Sequence, residues 1–171
     1  MYRKIKLSHS GIKMTNKENI KRYVFGGRGQ FVLKSNKTDK SYTYTISKPK
    51  DNDEILYVSA YGLDGGGYIG LLSIEKVQYV HTKKAKLDIN HDAVKGINWL
   101  IKQFHNDLEF NDMMEFYHMG ICCCCGRTLT VRDNIEMGIG PICFKNYGKN
   151  NKRANRVKKI KELQKKIRKN I

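Results

Sequence analysis

The hydrophobic pattern changes period once along this chain, and that change constrains the fold more than any other feature. SYTYTIS (41–47) alternates, with Tyr42, Tyr44 and Ile46 on one face and Ser41, Thr43, Thr45 and Ser47 on the other. Phe31–Lys34, ILYVSAYG (55–62), YIGLLSI (68–74) and VQYVHT (77–82) are also strand-like, with NKTDK and LDGGG as links. Short strands joined this way form an antiparallel meander of about five strands. From residue 93 the repeat becomes three to four: Ala93, Val94, Ile97, Leu100, Ile101, Phe104 and Leu108. That spacing predicts an amphipathic helix, capped by Asn90 with Asp92 in its first turn, covering one sheet face with Trp99 near the border. Met113, Met114, Phe116 and Tyr117 are expected to pack behind it.

All five cysteines lie between residues 122 and 143, four of them consecutive. No apolar run approaches a membrane span, and the basic N-terminus has no secretory apolar core. The expected compartment is therefore the reducing cytoplasm, where clustered cysteines serve metals more than disulfides. Neighbouring side chains diverge, so within 122–125 only Cys122 and Cys125 have the C-x2-C spacing of a metal knuckle. Gly126 follows, free to take positive φ. Gly140-Pro141 predicts the start of a short helix over PICFKNYG with Cys143 in its first turn, where unpaired amides favour a thiolate. His118, four residues before Cys122, completes the expected set of His118, Cys122, Cys125 and Cys143 around one structural zinc. Cys123 or Cys124 in place of His118 is the competing set; otherwise one is expected to be packed and the other exposed. His9, His81, His91 and His105 receive no role.

Charge is concentrated at the ends. The net charge is +17. Residues 1–24 carry seven Lys/Arg and one Glu, residues 25–144 carry fourteen of each sign, and residues 145–171 carry twelve Lys/Arg and one Glu. This predicts a basic arm (1–22), an α+β domain (23–110), a cysteine module (111–147) and a basic tail (148–171). Concentrated cationic ends suit nucleic acid, although the same lysines also serve solubility. The predicted phosphate-contacting residues are Arg127, Lys152, Arg153, Arg156, Lys158, Lys159, Lys161, Lys165, Lys166, Arg168 and Lys169. Lysine outnumbers arginine, which favours nonspecific contact over base reading. Within the tail, Val157, Ile160, Leu163, Ile167 and Ile171 form a narrow apolar stripe that would permit a helical homodimer. GGRG (26–29) and DGGG (64–67) lack the spacing of phosphate loops and are expected to be turns or bulges, with Arg28 still able to reach a phosphate.

The run CCCCGRTLT (122–130) through GIGPIC (138–143) resembles a domain of unknown function common in small bacteriophage proteins. FGGRGQFVLKSNKTDKSYTYTIS and YVSAYGLDGGGYIGLLS are similar to that family's sheet region, so the resemblance spans roughly residues 23 to 147. Arg132 and Asn134 stand where proline and serine are common in the family, and both suit a turn or helix cap. The resemblance implies a phage origin, hence a bacterial host cytoplasm, and a zinc-ribbon-like or treble-clef-like module, but no activity.

The expected fold class is α+β: an antiparallel sheet covered by one helix, a small zinc module and a basic C-terminal helix. The expected function is nonspecific binding of DNA or RNA, with Tyr42, Tyr44, Tyr57 and Tyr61 available for stacking if their sheet face is open. The alternative is a host-takeover or counter-defence protein that binds a host protein or nucleoprotein, such as a polymerase or CRISPR effector. The fourteen central acids are scattered, and no nucleophile–base set has local support, so an enzyme is not expected.

Overall fold

The structure is a computed structural model that describes residues 11–108, 112–147, 149, 160 and 165. Its contacts divide the chain into two units, residues 1–139 and 140–171. In the larger unit, the elements in chain order are β1 (Ile12–Met14), α1 (Lys17–Phe25), β2 (Gln30–Ser35), β3 (Ser41–Ser47), β4 (Ile55–Gly62), β5 (Gly65–Ser73), β6 (Gln78–His81), α2 (Asp92–His105), β7 (Met114–His118) and α3 (Arg132–Met137). The seven described strands form one antiparallel sheet in the order β1-β7-β2-β3-β4-β5-β6. The meander is as expected. The two strands beyond the expected five are β1 and β7, which pair across more than a hundred residues, with Ile12 opposite His118.

Alternation sorts the side chains. Tyr44 is opposite Phe31 on β2 and Ala60 on β4, and all three are fully buried. Phe31 stacks on Tyr44 (centroids 5.3 Å apart) and on Phe116 (4.8 Å), giving an aromatic ladder across β3, β2 and β7. Over this face lies α2, whose Ala93, Val94, Ile97, Leu100, Ile101 and Phe104 are buried. The Tyr44 hydroxyl donates to the Ala93 carbonyl at 2.6 Å, satisfying the one polar atom of the ladder. Burying a side chain such as Ile97 or Leu100 contributes roughly 1.5–3 kcal/mol, so this stripe carries much of the sheet-to-helix stability.

Two helix-end expectations change. His91, not Asn90, caps α2: its Nδ1 accepts from the Ala93 N–H at 3.1 Å, while the Asn90 N–H donates to Asp88. Leu108 lies beyond the helix and is exposed, because Asn106 closes the last turn and Asp107 takes a left-handed φ of 52°.

The expected basic arm is partly folded. Residues 12–14 are the edge strand β1, and residues 17–25 are α1, with Ile20, Tyr23 and Val24 buried. The local sequence supplies the reason. Asn16 caps the helix by accepting from the Asn19 N–H at 2.9 Å, Glu18 sits in the first turn, and the buried residues are spaced i, i+3, i+4. Two helices rather than one therefore cover this face, with Phe25 of α1 against Phe104 of α2. Residues 1–10 lie outside the described residues. No helix among the described residues is long and apolar enough to cross a membrane.

In the smaller unit, residues 141–147 are helical, as Gly140-Pro141 predicts, and the Phe144 N–H donates to the Gly140 carbonyl. The expected stripe residues Val157, Leu163, Ile167 and Ile171 lie outside the described residues, whereas Ile160 is helical and exposed.

Candidate metal centre

Strand β7 ends at His118, and the chain then folds into a tight knuckle. Ile121 and Thr128 form an isolated antiparallel bridge. The Cys122 N–H donates to the Arg127 carbonyl, Gly126 N–H to Cys122, and Leu129 N–H to Gly120. Gly126 closes the turn at φ 72°, the left-handed conformation its position after the cysteines predicts. Beyond α3, Gly138 is also left-handed (φ 68°), and its carbonyl accepts from the Cys123 N–H. The Sγ atoms of Cys122, Cys125 and Cys143 all lie within 4.8 Å of one another. Three close cysteines could hold a metal ion. Tetrahedral zinc with Zn–S near 2.3 Å sets sulfurs about 3.8 Å apart, a spacing that lies inside this 4.8 Å limit.

Of the four expected ligands, the structure brings these three together. His118 stands elsewhere. It is fully buried, its Nε2 donates to the Ile135 carbonyl at 2.7 Å, and its Nδ1 accepts from the Gly120 N–H at 3.1 Å. With both ring nitrogens engaged, no lone pair is left for a metal. The ring also lies against Tyr23, centroids 5.1 Å apart. Burial holds the His118 pKa below its usual value, partly offset by the bond to Ile135.

Cys123 is fully buried and Cys124 is partly buried, their sulfurs 3.8 Å apart. The hydrogen bond to Cys124 and burial hold Cys123 protonated, while the same bond lowers Cys124. The Arg22 guanidinium, which donates to Asn19 and to the Met137 carbonyl, lies close enough to lower both thiols. A divalent ion on three thiolates carries a net negative charge, which such a cation offsets.

Sequence reasoning missed the seat of this knuckle. The GGRG turn is not a phosphate loop. The Arg28 N–H donates to the Cys123 carbonyl at 2.7 Å, and a Cβ on Gly26 would come within 2.7 Å of the Cys123 Sγ. Glycine is there so that two stretches of backbone can touch. Tyr23 is the second hidden support: its hydroxyl reaches the carbonyls of Gln30 (3.2 Å) and Ile121 (3.1 Å), and burial raises its pKa. A Tyr seven residues before Gln30 and nearly a hundred before Ile121 gives no signal that it joins them.

Residues 112–148 match a family of unknown function, DUF6011. The DUF6011 stretch contains β7, the knuckle and all five cysteines, whereas the wider resemblance from residue 23 is not part of the match. No curated protein and no solved structure matches the chain.

Among the expected nucleic-acid contacts, Arg127 is exposed on the knuckle, and Lys165 is helical and exposed. Lys152, Arg153, Arg156, Lys158, Lys159, Lys161, Lys166, Arg168 and Lys169 lie outside the described residues. The four strand tyrosines do not share a face. Tyr42 and Tyr44 are on the helix-covered side, with Tyr44 fully buried. Tyr57 and Tyr61 are opposite Ser47 and Thr43 on the other side, where Tyr57 is 40% exposed.

Proposed function

We propose that this protein binds nucleic acid through its cationic termini and that a zinc ion held by Cys122, Cys125 and Cys143 fixes the root of the tail. The observation that carries the reading is the sulfur trio within 4.8 Å, since Cys143 lies only a few residues before a segment with a net charge of +11. Soft thiolates suit zinc, and metal on this trio orders the helix from which the tail departs. The donor set is protein thiolate, and a fourth protein donor that closes the tetrahedron makes the role structural. Phosphate contact through lysine is nonspecific: neutralising about eight phosphates gives a salt slope near −7 on duplex DNA. The test measures zinc content and fluorescence-anisotropy binding of duplex and single-stranded oligonucleotides by the full chain across a salt series. Stoichiometric zinc with a steep salt dependence supports the reading; metal-free folded protein that ignores oligonucleotides ends it.

A second reading follows the bacteriophage resemblance and makes the partner a host protein or nucleoprotein. Ile142 and Phe144, exposed on the helix of residues 141–147, favour it as apolar contacts that precede the basic segment in sequence. Capture of one host protein that survives nuclease treatment would favour this reading over the first.

A further inference from the structure

A groove of about 350 Å³ opens between the β2–β3 hairpin and the first half of α2, within the size range of about 300–1,000 Å³ typical of small-ligand sites. Its lining is mainly apolar: Tyr42, Trp99, Met113 and Met114 wall it, and Tyr44 lies at its base. Tyr42 is held edge-on against His91, centroids 5.6 Å apart. Gly96 of α2 faces the groove, and a Cβ there would meet the Tyr44 hydroxyl at 2.9 Å and the Met114 Cε at 3.5 Å. A glycine inside a helix costs about 1 kcal/mol relative to alanine. Here it admits Tyr44 to its bond with Ala93 and leaves the groove without a side chain at that point.

The rim is cationic. Lys37, Lys40 and Lys95 line the groove and are exposed, against a single acid, Asp92. Asp92 is already paired with Lys40 at 2.7 Å. An apolar slot with two aromatic walls and a lysine rim fits a flat aromatic group bearing a phosphate. It is too small for a helix, and the lysines favour an anion. We infer that this groove takes an unpaired base of single-stranded nucleic acid, stacked against Trp99 and Tyr42, with the flanking phosphates on Lys37 and Lys95. Such stacking is sequence-tolerant because every base has a π face, and lysine contact is equally indifferent to sequence. This rests on the nucleic-acid reading above and specifies the strand state it prefers.

Trp99 is the sole tryptophan, so emission excited selectively over the ten tyrosines reports on this groove. The experiment titrates the full chain with a labelled twelve-residue oligo(dT), following label anisotropy and tryptophan emission together. An abasic oligomer of the same phosphate count and polyglutamate serve as comparison probes. The expected result is quenching in step with anisotropy for oligo(dT), and binding without quenching for the abasic oligomer. Lys37→Glu/Lys95→Glu, on exposed sites that leave the core intact, should weaken oligo(dT) binding about tenfold more than Lys83→Glu/Lys84→Glu, the same charge change on the exposed link between β6 and α2. Anisotropy without quenching, equal quenching by the abasic oligomer, or equal losses in the two variants overturns the base site and leaves the polyanion reading standing. Quenching by polyglutamate as strong as by oligo(dT) assigns the groove to an acidic protein partner and overturns it too. No binding of any oligonucleotide at low salt brings down both readings.

Discussion

The Nε2 of His118 lies 2.7 Å from the carbonyl oxygen of Ile135, and this bond joins the end of β7 to α3. A histidine four residues before a C-x2-C pair has ligand spacing, yet here it acts as a buried brace. His118→Ala should therefore destabilise the fold by about 2–4 kcal/mol, from two orphaned backbone partners and a cavity. Zinc stoichiometry by elemental analysis should not change. Loss of one equivalent of metal in a still-folded variant would return His118 to the ligand set.

The same burial fixes a pH response. The folded His118 pKa is lowered, so the neutral ring is favoured in the native state. The unfolded chain, with a histidine pKa near 6.5, takes up a proton first as pH falls. Stability is unaffected above about pH 6.5 and declines below it, at up to about 1.4 kcal/mol per pH unit, until the folded pKa is reached. Urea unfolding in chelator at pH 7.5, 6.5 and 5.5 should show this slope in the native chain and a flatter one in His118→Gln. Equal slopes would assign the response to other groups.

Cys125→Ser should lower bound metal and loosen the DUF6011 stretch. Cobalt substituted for zinc should give a thiolate charge-transfer band that weakens in Cys125→Ser and Cys143→Ser but is retained in Cys124→Ser. A band unchanged by Cys143→Ser would take that residue out of the trio.

Gly138 is left-handed, and a Cβ there would stand 2.4 Å from Tyr23 Cδ2. Gly138→Ala should lose about 2–4 kcal/mol, combining the backbone penalty with overpacking. A denaturant midpoint within error of the native chain would mean that Tyr23 can withdraw from the site.

Truncation after Tyr147 removes Lys152, Arg153, Arg156 and the lysines beyond. Oligonucleotide affinity at low salt should fall at least about tenfold, and the salt slope should shallow with the lost phosphate contacts. Unchanged affinity and slope would remove the tail from the mechanism.

Much of this protein was determined locally. The alternation of β3, the helical stripe of α2, the left-handed Gly126 after Cys125 and the helix start at Pro141 each depend on residues within a turn or two, so the pattern can be read without knowing the partner. The tertiary structure decided what pairs at a distance. It placed Ile12 beside His118, divided the strand tyrosines between two faces, seated the GGRG turn under Cys123 and occupied both nitrogens of His118. The charge of residues 1–24 also hid α1, whose three buried residues matter only once a sheet face exists to receive them. Local patterns specify which face of a segment is apolar; which surface comes to cover that face depends on chain closure over many residues, and no short window of sequence encodes it.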